Sequence, residues 1–315
     1  MTGKSAEAWP ELPYREWRDT LATLHLWAQI VGKVRLAQTP WMIHSWHATL
    51  YVTARGLTTS TIWHGRRVFD IELDFVDHAL VIRSSAGSSR RLPLRPQSVA
   101  EFHAAFLGAL AELQLPVAIH GEPSELPEPV PFRDDHAQRS YDPEHAQRYW
   151  RALLQVDRVF KLFRTGFLGK VSPVHLFWGA LDLAVTRFSG RTAPRHPGGI
   201  PHLPDPVTRE AYSHEVSSAG FWPGGPPVDE AIFYSYAYPT PAGFAQAAVA
   251  PAAAYYHEKM GEFVLPYEAV RTAADPDQVL LTFLESTYRA AADTGRWDCA
   301  ALECEIGVPR VVRKL

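Results

Sequence analysis

The sequence has few cysteines and no long apolar run. Only Cys299 and Cys304 are present among 315 residues, and both lie in a polar stretch near the C-terminus. No segment approaches the roughly 18 consecutive apolar residues that a membrane span requires, and residues 1–14 lack the apolar core of a signal peptide. Two free thiols fit a reducing compartment. We therefore expect a soluble, cytoplasmic protein without a membrane partner.

A strong charge of one sign and the common catalytic motifs are also missing. The net charge is −3, and no basic stripe indicates nucleic-acid binding. The sequence contains no GxSxG, GxxxxGK[ST], GxGxxG, HExxH or CxxC pattern. It therefore names no cofactor, reaction or oligomeric state.

Apolar and aromatic residues are plentiful. Hydrophobic residues make up 46% of the chain, which also contains 10 Trp, 12 Tyr and 15 Phe. This content is enough for one large core or two moderate cores. Because aromatic side chains also line small-molecule pockets, we expect a small-molecule ligand rather than nucleic acid.

One sequence pattern occurs twice at a constant offset of 133 positions. The matched pairs are Trp17 with Trp150, Leu21 with Leu154, Pro40 with Pro173, Leu50 with Leu183, and Val52 with Val185. In each half, strand-like segments cluster between helix-like segments, which predicts an α+β fold. We expect an internally duplicated helix–antiparallel sheet–helix unit that forms two pseudo-symmetric halves.

The pattern predicts a first unit at 1–120, a Pro-rich connector at 121–143, a second unit with longer loops at 144–297 and a tail at 298–315. The predicted helices cover 15–38, 99–113, 144–168, 245–259 and 276–292. Ser98 and Glu101 form a capping-box pattern, and Asp275-Pro276 is typical of a helix start. The predicted strands cover 47–55, 58–64, 69–75, 79–84, 90–94, 176–188, 213–219, 231–238 and 262–265.

The first candidate cluster follows the first helix and contains His44, Trp46, His47 and Arg55. A strand over 47–55 would place His47 and Arg55 on the face opposite its apolar residues. This face suits the wall of a polar pocket in which Arg55 binds an anionic group. The alternative is an exposed sheet face where Arg55 pairs with acids of a neighbouring strand.

The second cluster, in segment 172–191, contains His175, Trp178, Asp182, Arg187 and Arg191. Asp182 lies between two leucines, and a buried carboxylate requires a partner. His175 and the two arginines are the nearest candidates in sequence, although strand alternation places Arg187 on the other face. A structural role for Asp182, bridging to backbone or to an Arg of the other half, is the alternative.

The third cluster, in segment 212–225, contains His214, Glu215 and Trp222. His214 and Glu215 are an acid–base pair by residue type, but adjacent strand residues point to opposite faces. Trp222 lies in a Gly-rich loop that suits either a lid or an aromatic-anchored turn. A metal site formed by His175, His214 and Glu215 across strands ranks third, because no ligand spacing supports it.

Three acidic residues alternate along another predicted strand: Asp70, Glu72 and Asp74. They face away from Phe69, Ile71, Leu73 and Phe75, which predicts a solvated sheet face. The expected cross-strand partners are Arg90 and Arg91.

Three long blocks carry a resemblance: HSWHATLYVTARGLTT at 44–59, SPVHLFWGALDLAVTRFSGR at 172–191 and YSHEVSSAGFWPGG at 212–225. They resemble a bacterial family of domains of unknown function, and the resemblance extends from about Trp9 to Trp297. It implies that the three blocks are the family's hallmark, and it implies no activity or cofactor.

The sequence therefore leads to an enzyme hypothesis. We expect acid–base chemistry on a small polar or anionic molecule in one composite cleft between the halves. His175 and His214 are the acid–base candidates, Asp182 orients one imidazole or stays ionised in the site, and Glu215 is a further candidate. The expected ligand-binding residues are His44, Trp46, His47, Arg55, Trp178, Arg187, Arg191 and Trp222. The alternative is a non-catalytic ligand-binding or assembly protein whose aromatic blocks pack between the halves.

Overall fold

The computed structural model describes residues 8–200 and 202–313. The beginning of the predicted first unit, position 201 in the Pro-rich loop and the end of the predicted tail lie outside the described residues.

The first half is a helix, an antiparallel meander and a second helix. Its elements are α1 (Tyr14–Gln38), β1 (Tyr51–Val52), β2 (Gly56–Thr58), β3 (Ile62–His64), β4 (Arg67–Asp74), β5 (Ala79–Ser84), β6 (Ser89–Pro93), β7 (Gln97–Ser98) and α2 (Val99–Glu112). The sheet order is β1-β2-β4-β5-β6, with β3 paired to β4. Helix α1 buries the apolar residues that recur at helical spacing, and the chain leaves the helix before Pro40.

The second half also combines helices with an antiparallel sheet, but a short helix interrupts its strands and its loops are longer. Its elements are β8 (Gln138–Arg139), α3 (Pro143–Thr165), β9 (His175–Phe177), β10 (Asp182–Thr192), α4 (Asp205–Ala211), β11 (His214–Trp222), β12 (Ile232–Tyr238), β13 (Tyr255–His257), β14 (Glu262–Pro266), α5 (Tyr267–Arg271), α6 (Pro276–Thr294) and α7 (Cys299–Leu302). The order of the second sheet is β13-β14-β12-β11-β10-β9, and β7 pairs with β8. The mixture of helices and antiparallel sheets defines an α+β fold.

The two sheets meet edge to edge at one backbone bridge. The Leu50 N–H donates to the Leu176 carbonyl at 2.9 Å, and the Leu176 N–H donates back to the Leu50 carbonyl at 2.8 Å. Both leucine side chains are fully buried. Strands β1 and β9 are therefore antiparallel neighbours, and one hydrophobic cluster extends from Trp9 to Ala292 through both halves.

Helices cover one face of the second sheet. Leu183, Val185, Phe221 and Phe233 point toward this side and belong to the main core, where α3 contacts β10 and α6 contacts β11 and β12. Because strand side chains alternate between the two faces, the intervening residues of the same strands point to the other side. This opposite side carries the candidate functional site.

Helix termini predicted from capping residues are confirmed. Ser98 accepts a hydrogen bond from the Glu101 N–H while the Glu101 carboxylate accepts from the Ser98 N–H, so the capping box of α2 is complete. Asp275 caps α6 by accepting from the Gln278 N–H at 3.1 Å. Local hydrogen bonding is sufficient to place these ends.

Three sequence predictions of longer elements are wrong. No helix covers 245–259, because Pro251 provides no backbone N–H, and β13 forms there instead. The strand predicted at 176–188 is interrupted between β9 and β10 by a turn in which Leu181 has a φ of +57°. The strand predicted at 47–55 is limited to Tyr51–Val52, so His47 precedes it and does not share a strand face with Arg55.

The acidic residues of β4 are less exposed than the alternation predicts. Glu72 is 6% exposed and Asp74 is 2% exposed. Arg83 binds Asp70 and Glu72, while Arg55 binds Asp74 at 2.7 Å. The prediction of Arg90 and Arg91 as partners is wrong, because Arg83 pairs directly across β4 and β5.

Candidate functional site

The side of the second sheet that faces away from α3 and α6 is polar and aromatic, and we call it the polar face. The register of the strands and their alternation place these residues on it: Asp182 and Thr186 of β10, Ser218 of β11, Tyr234 and Tyr236 of β12, and Glu262 of β14. A sheet face packed only against other core elements is normally apolar. The polar face is therefore a candidate ligand site.

Asp182 is the central acid of the polar face. It begins β10, is 8% exposed and accepts a short hydrogen bond from the Tyr234 hydroxyl. Burial raises the pKa of the carboxyl to about 6, although the Tyr234 hydrogen bond lowers it. The sequence candidates for pairing with Asp182 were His175, Arg187 and Arg191, and the structure instead pairs it with a tyrosine two strands away.

Gly220 makes this pairing feasible. It lies directly opposite both Ala184 and Tyr234 in the sheet. A Cβ atom at position 220 would be 2.2 Å from the Tyr234 hydroxyl oxygen. The missing side chain therefore lets the phenol lie across β11 and reach Asp182.

Two further carboxyls lie near Asp182. Glu125 reaches the polar face from the segment between the halves, where its carboxylate packs beside Gly179 although the rest of the residue is exposed, and Glu262 is half-buried at the start of β14. Desolvation, followed by the negative charge of Asp182, raises the pKa of each to about 7. No hydrogen bond from a described residue contributes to either shift. We call Asp182, Glu125 and Glu262 the carboxyl cluster.

Lys33 of α1 brings the first half to this cluster. It is 4% exposed, donates to the Ser124 hydroxyl at 2.9 Å and lies 5.3 Å from the centre of the Trp178 ring. Burial lowers the pKa of Lys33 to about 8, while Glu122 and Glu125 act in the opposite direction. The charge of Lys33 in turn lowers the pKa of Glu125.

A row of hydroxyl groups continues along the polar face. Thr186 and Ser218 are hydrogen-bonded at 2.8 Å, and the hydroxyls of Tyr212 and Tyr236 are 2.9 Å apart. The rings of Tyr234 and Tyr236 are stacked with centroids 6.2 Å apart. Burial raises the pKa of both tyrosines well above the ordinary value, so the phenols remain protonated donors.

The other end of the polar face is formed around His44, and we call it the histidine end. The His44 Nδ1–H donates to the Ala211 carbonyl at 2.7 Å, so Nε2 accepts from the Lys170 ammonium at 2.6 Å. Burial is the main reason that the pKa of His44 is lowered to about 4, and the nearby positive charge of Lys170 lowers it further. The imidazole is thus neutral at pH 7.

The histidine end joins residues of all three sequence blocks. The His44 ring lies 4.6 Å from Phe188 and 6.0 Å from His214. Trp46 lies 6.5 Å from His175, which is fully buried and has its pKa lowered to about 4 by burial. These contacts agree with the prediction that segments 44–59, 172–191 and 212–225 lie close together. The catalytic roles of the histidines remain predictions.

The three predicted arginines lie away from the polar face. Arg55 belongs to the first half and binds Asp74 and Asp77 at 2.7 and 2.8 Å. Arg187 points to the helix side, where its guanidinium carbon is 3.5 Å from the centre of the Phe163 ring. Arg191 and Glu215 bind each other at 2.6 Å. These side chains do not form a common anion site.

The remaining predicted residues have packing contacts. Trp178 donates its Nε1–H to the Ala48 carbonyl at 2.7 Å and lies against Gly32. Trp222 packs on the small apolar cluster of Val228, Ile232 and Val264. His47 is buried beneath Trp41, with ring centroids 4.6 Å apart.

Sequence reasoning missed several residues of the site: Lys33, Glu125, Lys170, Tyr212, Tyr234, Tyr236 and Glu262. The alternation of tyrosine with buried residues in IFYSYAY was a usable signal, because β12 presents its tyrosines to one face. Lys33 was also visible as a cation within the apolar pattern of α1. Glu125 gave no signal, since it lies in an irregular segment.

In residues 8–200 and 202–313, no group of three or more His, Cys, Asp or Glu side chains has the geometry to hold a metal ion. A search of the same residues also found no helix with the length and apolar content needed to cross a membrane.

Residues 9–304 match the model of a family described as a family of unknown function, DUF5996. The chain therefore belongs to this family, which confirms the expectation of a family of domains of unknown function. No curated protein and no solved structure matches the chain.

Proposed function

We propose that the protein is an enzyme that performs acid–base chemistry on a small polar molecule bound at the carboxyl cluster. The observation that carries the proposal is the buried Asp182 carboxyl on the polar face, where it accepts from the Tyr234 hydroxyl. Burial raises the pKa of this carboxyl to about 6 and the pKa values of Glu125 and Glu262 to about 7. Groups with a pKa near the working pH are the most effective proton donors and acceptors. Perturbed carboxyls on a shared face are typical of functional sites.

Each residue has a distinct role in this proposal. Asp182, with the lowest pKa of the cluster, is ionised first and acts as the base. Glu125 and Glu262 retain protons to higher pH and act as acids. Tyr234 fixes the orientation of Asp182 through its hydrogen bond. The neighbouring tyrosine rings form the wall of the ligand site.

The charge of the site favours a ligand with a protonated amine. Carboxylates attract such a group electrostatically, and tyrosine rings attract it through their π faces. Sequence reasoning favoured an anionic ligand because of three arginines, and those arginines are engaged elsewhere. We therefore assign a cationic group to the ligand at this end of the polar face.

The assignment is tested by comparing the binding of small primary amines with the binding of the corresponding uncharged alcohols. Calorimetric titration of the wild type should detect the amines only, and affinity should increase between about pH 5.5 and 7.5 as the carboxyls ionise. Asp182→Asn should weaken binding roughly tenfold or more. Asp229→Asn, at an exposed acid, is the control. Equal binding to wild type and Asp182→Asn would contradict the assignment.

A non-catalytic binding protein is the second candidate. Trp178 supports it, because this residue of segment 172–191 fills the space over Gly32 and donates a hydrogen bond to Ala48 of the other half. Proton NMR of a bound amine in D₂O distinguishes the two functions. An enzyme that removes a proton from carbon exchanges it for deuterium, and Asp182→Asn abolishes the exchange. Binding without exchange or turnover favours the second candidate.

We also infer that the two halves arose by internal duplication. Each half has a long helix before its antiparallel sheet and another after it, and a backbone bridge between Leu50 and Leu176 joins the two sheets. The 133-residue sequence offset supports the same origin, although it pairs β1 with β10 rather than with β9. The functional groups differ between the halves, which favours one composite site.

A further inference from the structure

A second cluster of polar groups lies where the end of α1 meets segment 39–48 and α4, and we call it the Arg35 junction. It contains buried side-chain atoms that have no hydrogen-bond partner among the described residues. These atoms are Arg35 Nη1, Thr39 Oγ1, Ser45 Oγ, His47 Nε2 and Thr208 Oγ1. They are five of the ten such atoms found in the described chain. Because buried polar groups are normally paired, this concentration indicates a missing binding partner.

Arg35 supplies a buried positive charge. Its side chain is 8% exposed, and its Nε–H donates to the His47 carbonyl at 2.8 Å. No carboxylate in the described part of the chain neutralises it, and Tyr51 is the neighbour that interacts with the guanidinium. An unpaired buried charge is strongly unfavourable, so an anion is the expected partner.

His47 presents a second unpartnered nitrogen. Its Nδ1 lies 3.1 Å from the Met42 backbone nitrogen and 3.2 Å from the Met42 carbonyl oxygen, so Nδ1 accepts from the N–H in one tautomer and donates to the carbonyl in the other. The His47 side chain is 1% exposed, and Nε2 has no acceptor among the residues that the structure describes. In the tautomer that carries the proton on Nε2, this N–H requires an acceptor that the described chain does not supply.

Local contacts bring the other groups to the same junction. The Thr39 N–H donates to the Arg35 carbonyl at 3.0 Å, which places these residues one helical turn apart. Helix α4 packs on Ile43–Ser45, and Glu210 of α4 accepts from the His44 N–H at 2.9 Å. Thr208 lies in the same short helix and is 2% exposed. Ser45 is held at a φ of +57°, a conformation that non-glycine residues adopt rarely.

We propose that the Arg35 junction binds a tetrahedral oxyanion of the phosphate class. Four of the five unpartnered atoms belong to the Arg35 guanidinium or to hydroxyl groups, which donate hydrogen bonds, and the fifth, His47 Nε2, donates when it carries the ring proton. The guanidinium also carries a full positive charge. A phosphate offers acceptor oxygens in several directions, which matches donors from three separate segments. Arginine is well suited to such groups. The proposal is independent of the carboxyl cluster and uses none of its residues.

The test is binding of inorganic phosphate at constant ionic strength, measured by titration calorimetry and by the increase of Tm with phosphate concentration. Sodium chloride is the reference salt, and glycerol 2-phosphate tests whether the oxyanion is part of a larger ester. Binding of either phosphate supports the proposal, and ester binding assigns the source to a phosphorylated molecule. Absence of binding by both overturns it.

Two variants locate the bound oxyanion. Arg35→Met should weaken phosphate binding roughly tenfold or more, and the isosteric Thr208→Val should weaken it by about threefold to tenfold. Thr208→Val keeps the shape of the junction and remains informative if Arg35→Met does not fold. Arg90→Met, on the exposed edge of the first sheet, and Asp182→Asn should bind phosphate as the wild type does. Unchanged affinity in Thr208→Val and Arg35→Met would place the ion elsewhere and overturn the assignment.

Discussion

At the scale of single residues, the titration of Asp182 connects the site with the stability of the protein. The pKa of this carboxyl is about 6 in the folded protein, against an ordinary value of 3.8. The folded state therefore binds more protons than the unfolded state between these two values. The corresponding stabilisation is complete below about pH 4 and is lost as the pH rises through 6.

Asp182→Asn should remove this pH dependence, since the amide does not ionise and its oxygen still accepts from Tyr234. Between pH 4 and 8, the stability of the variant relative to wild type should increase by about 1 to 3 kcal/mol. Urea unfolding at a series of pH values measures the difference. Asp229→Asn is the control at an exposed acid. A difference that does not change with pH would exclude the raised pKa.

Residue type and sequence position were not sufficient to identify the residues that interact with Asp182 in the folded protein. Tyr234 follows it by 52 positions, and Glu125 precedes it in an irregular segment. The sequence favoured His175, Arg187 and Arg191 because they are near in the chain. Pairing through Tyr234 depends on the register across β10, β11 and β12 and on the space left by Gly220. Neither feature is encoded by local sequence.

At the scale of elements, the close approach of α1 to the second half depends on Gly32. A Cβ atom at this position would lie 2.2 Å from the Trp178 ring. Trp178 is 9% exposed and is fixed by its hydrogen bond to Ala48. The indole therefore has little freedom to move away, and the helix requires glycine despite its low helix propensity.

Gly32→Ala should destabilise the protein by about 1 to 3 kcal/mol, because the methyl group overpacks the contact. Gly108→Ala in α2 is the matched control, since a Cβ atom there would meet nothing within 4 Å. This control should stabilise the protein by about 0.5 to 1 kcal/mol through helix propensity. Chemical denaturation measures both changes. A neutral effect at position 32 would contradict the described packing of Trp178.

Elements with strong local signals were predicted well, and elements that depend on long-range pairing were not. Helix α1 was expected at 15–38 and is Tyr14–Gln38, because its apolar period and Pro40 are local features. The strand expected at 176–188 contains a turn after Phe177, because β9 continues toward β1 of the other half. The alanine-rich segment at 245–259 has good helix propensity, but Pro251 and pairing of β13 with β14 prevent a helix.

At the scale of the whole molecule, the two halves share one hydrophobic core. Residues from Trp9 to Ala292 belong to a single buried cluster. Besides the bridge between Leu50 and Leu176, the Trp150 Nε1–H donates to the Thr53 carbonyl at 3.0 Å. The sequence pattern predicted two units separated by a Pro-rich connector. Because the contacts above join these units in one core, we expect them to unfold together.

Unfolding in urea should therefore show one transition, with the same midpoint by tryptophan fluorescence and far-UV circular dichroism. Leu50→Ala should lower stability by about 2 to 5 kcal/mol, because it leaves a cavity at the junction of the sheets. It should shift the single transition without splitting it. Val312→Ala, at a highly exposed position, is the control. Two separate transitions in the wild type would show that the halves are independent.

The sequence by itself determined the family, the α+β class, most helix ends and the blocks that contribute to the polar face. These features follow from apolar periodicity, capping residues and proline, all of which act within a few positions. The tertiary structure decided which groups meet: Asp182 with Tyr234, Lys33 with Ser124, and Arg35 with His47. Such contacts join distant segments through strand register and through gaps at Gly220 and Gly32. Their formation depends on packing of the whole chain, which local sequence does not specify.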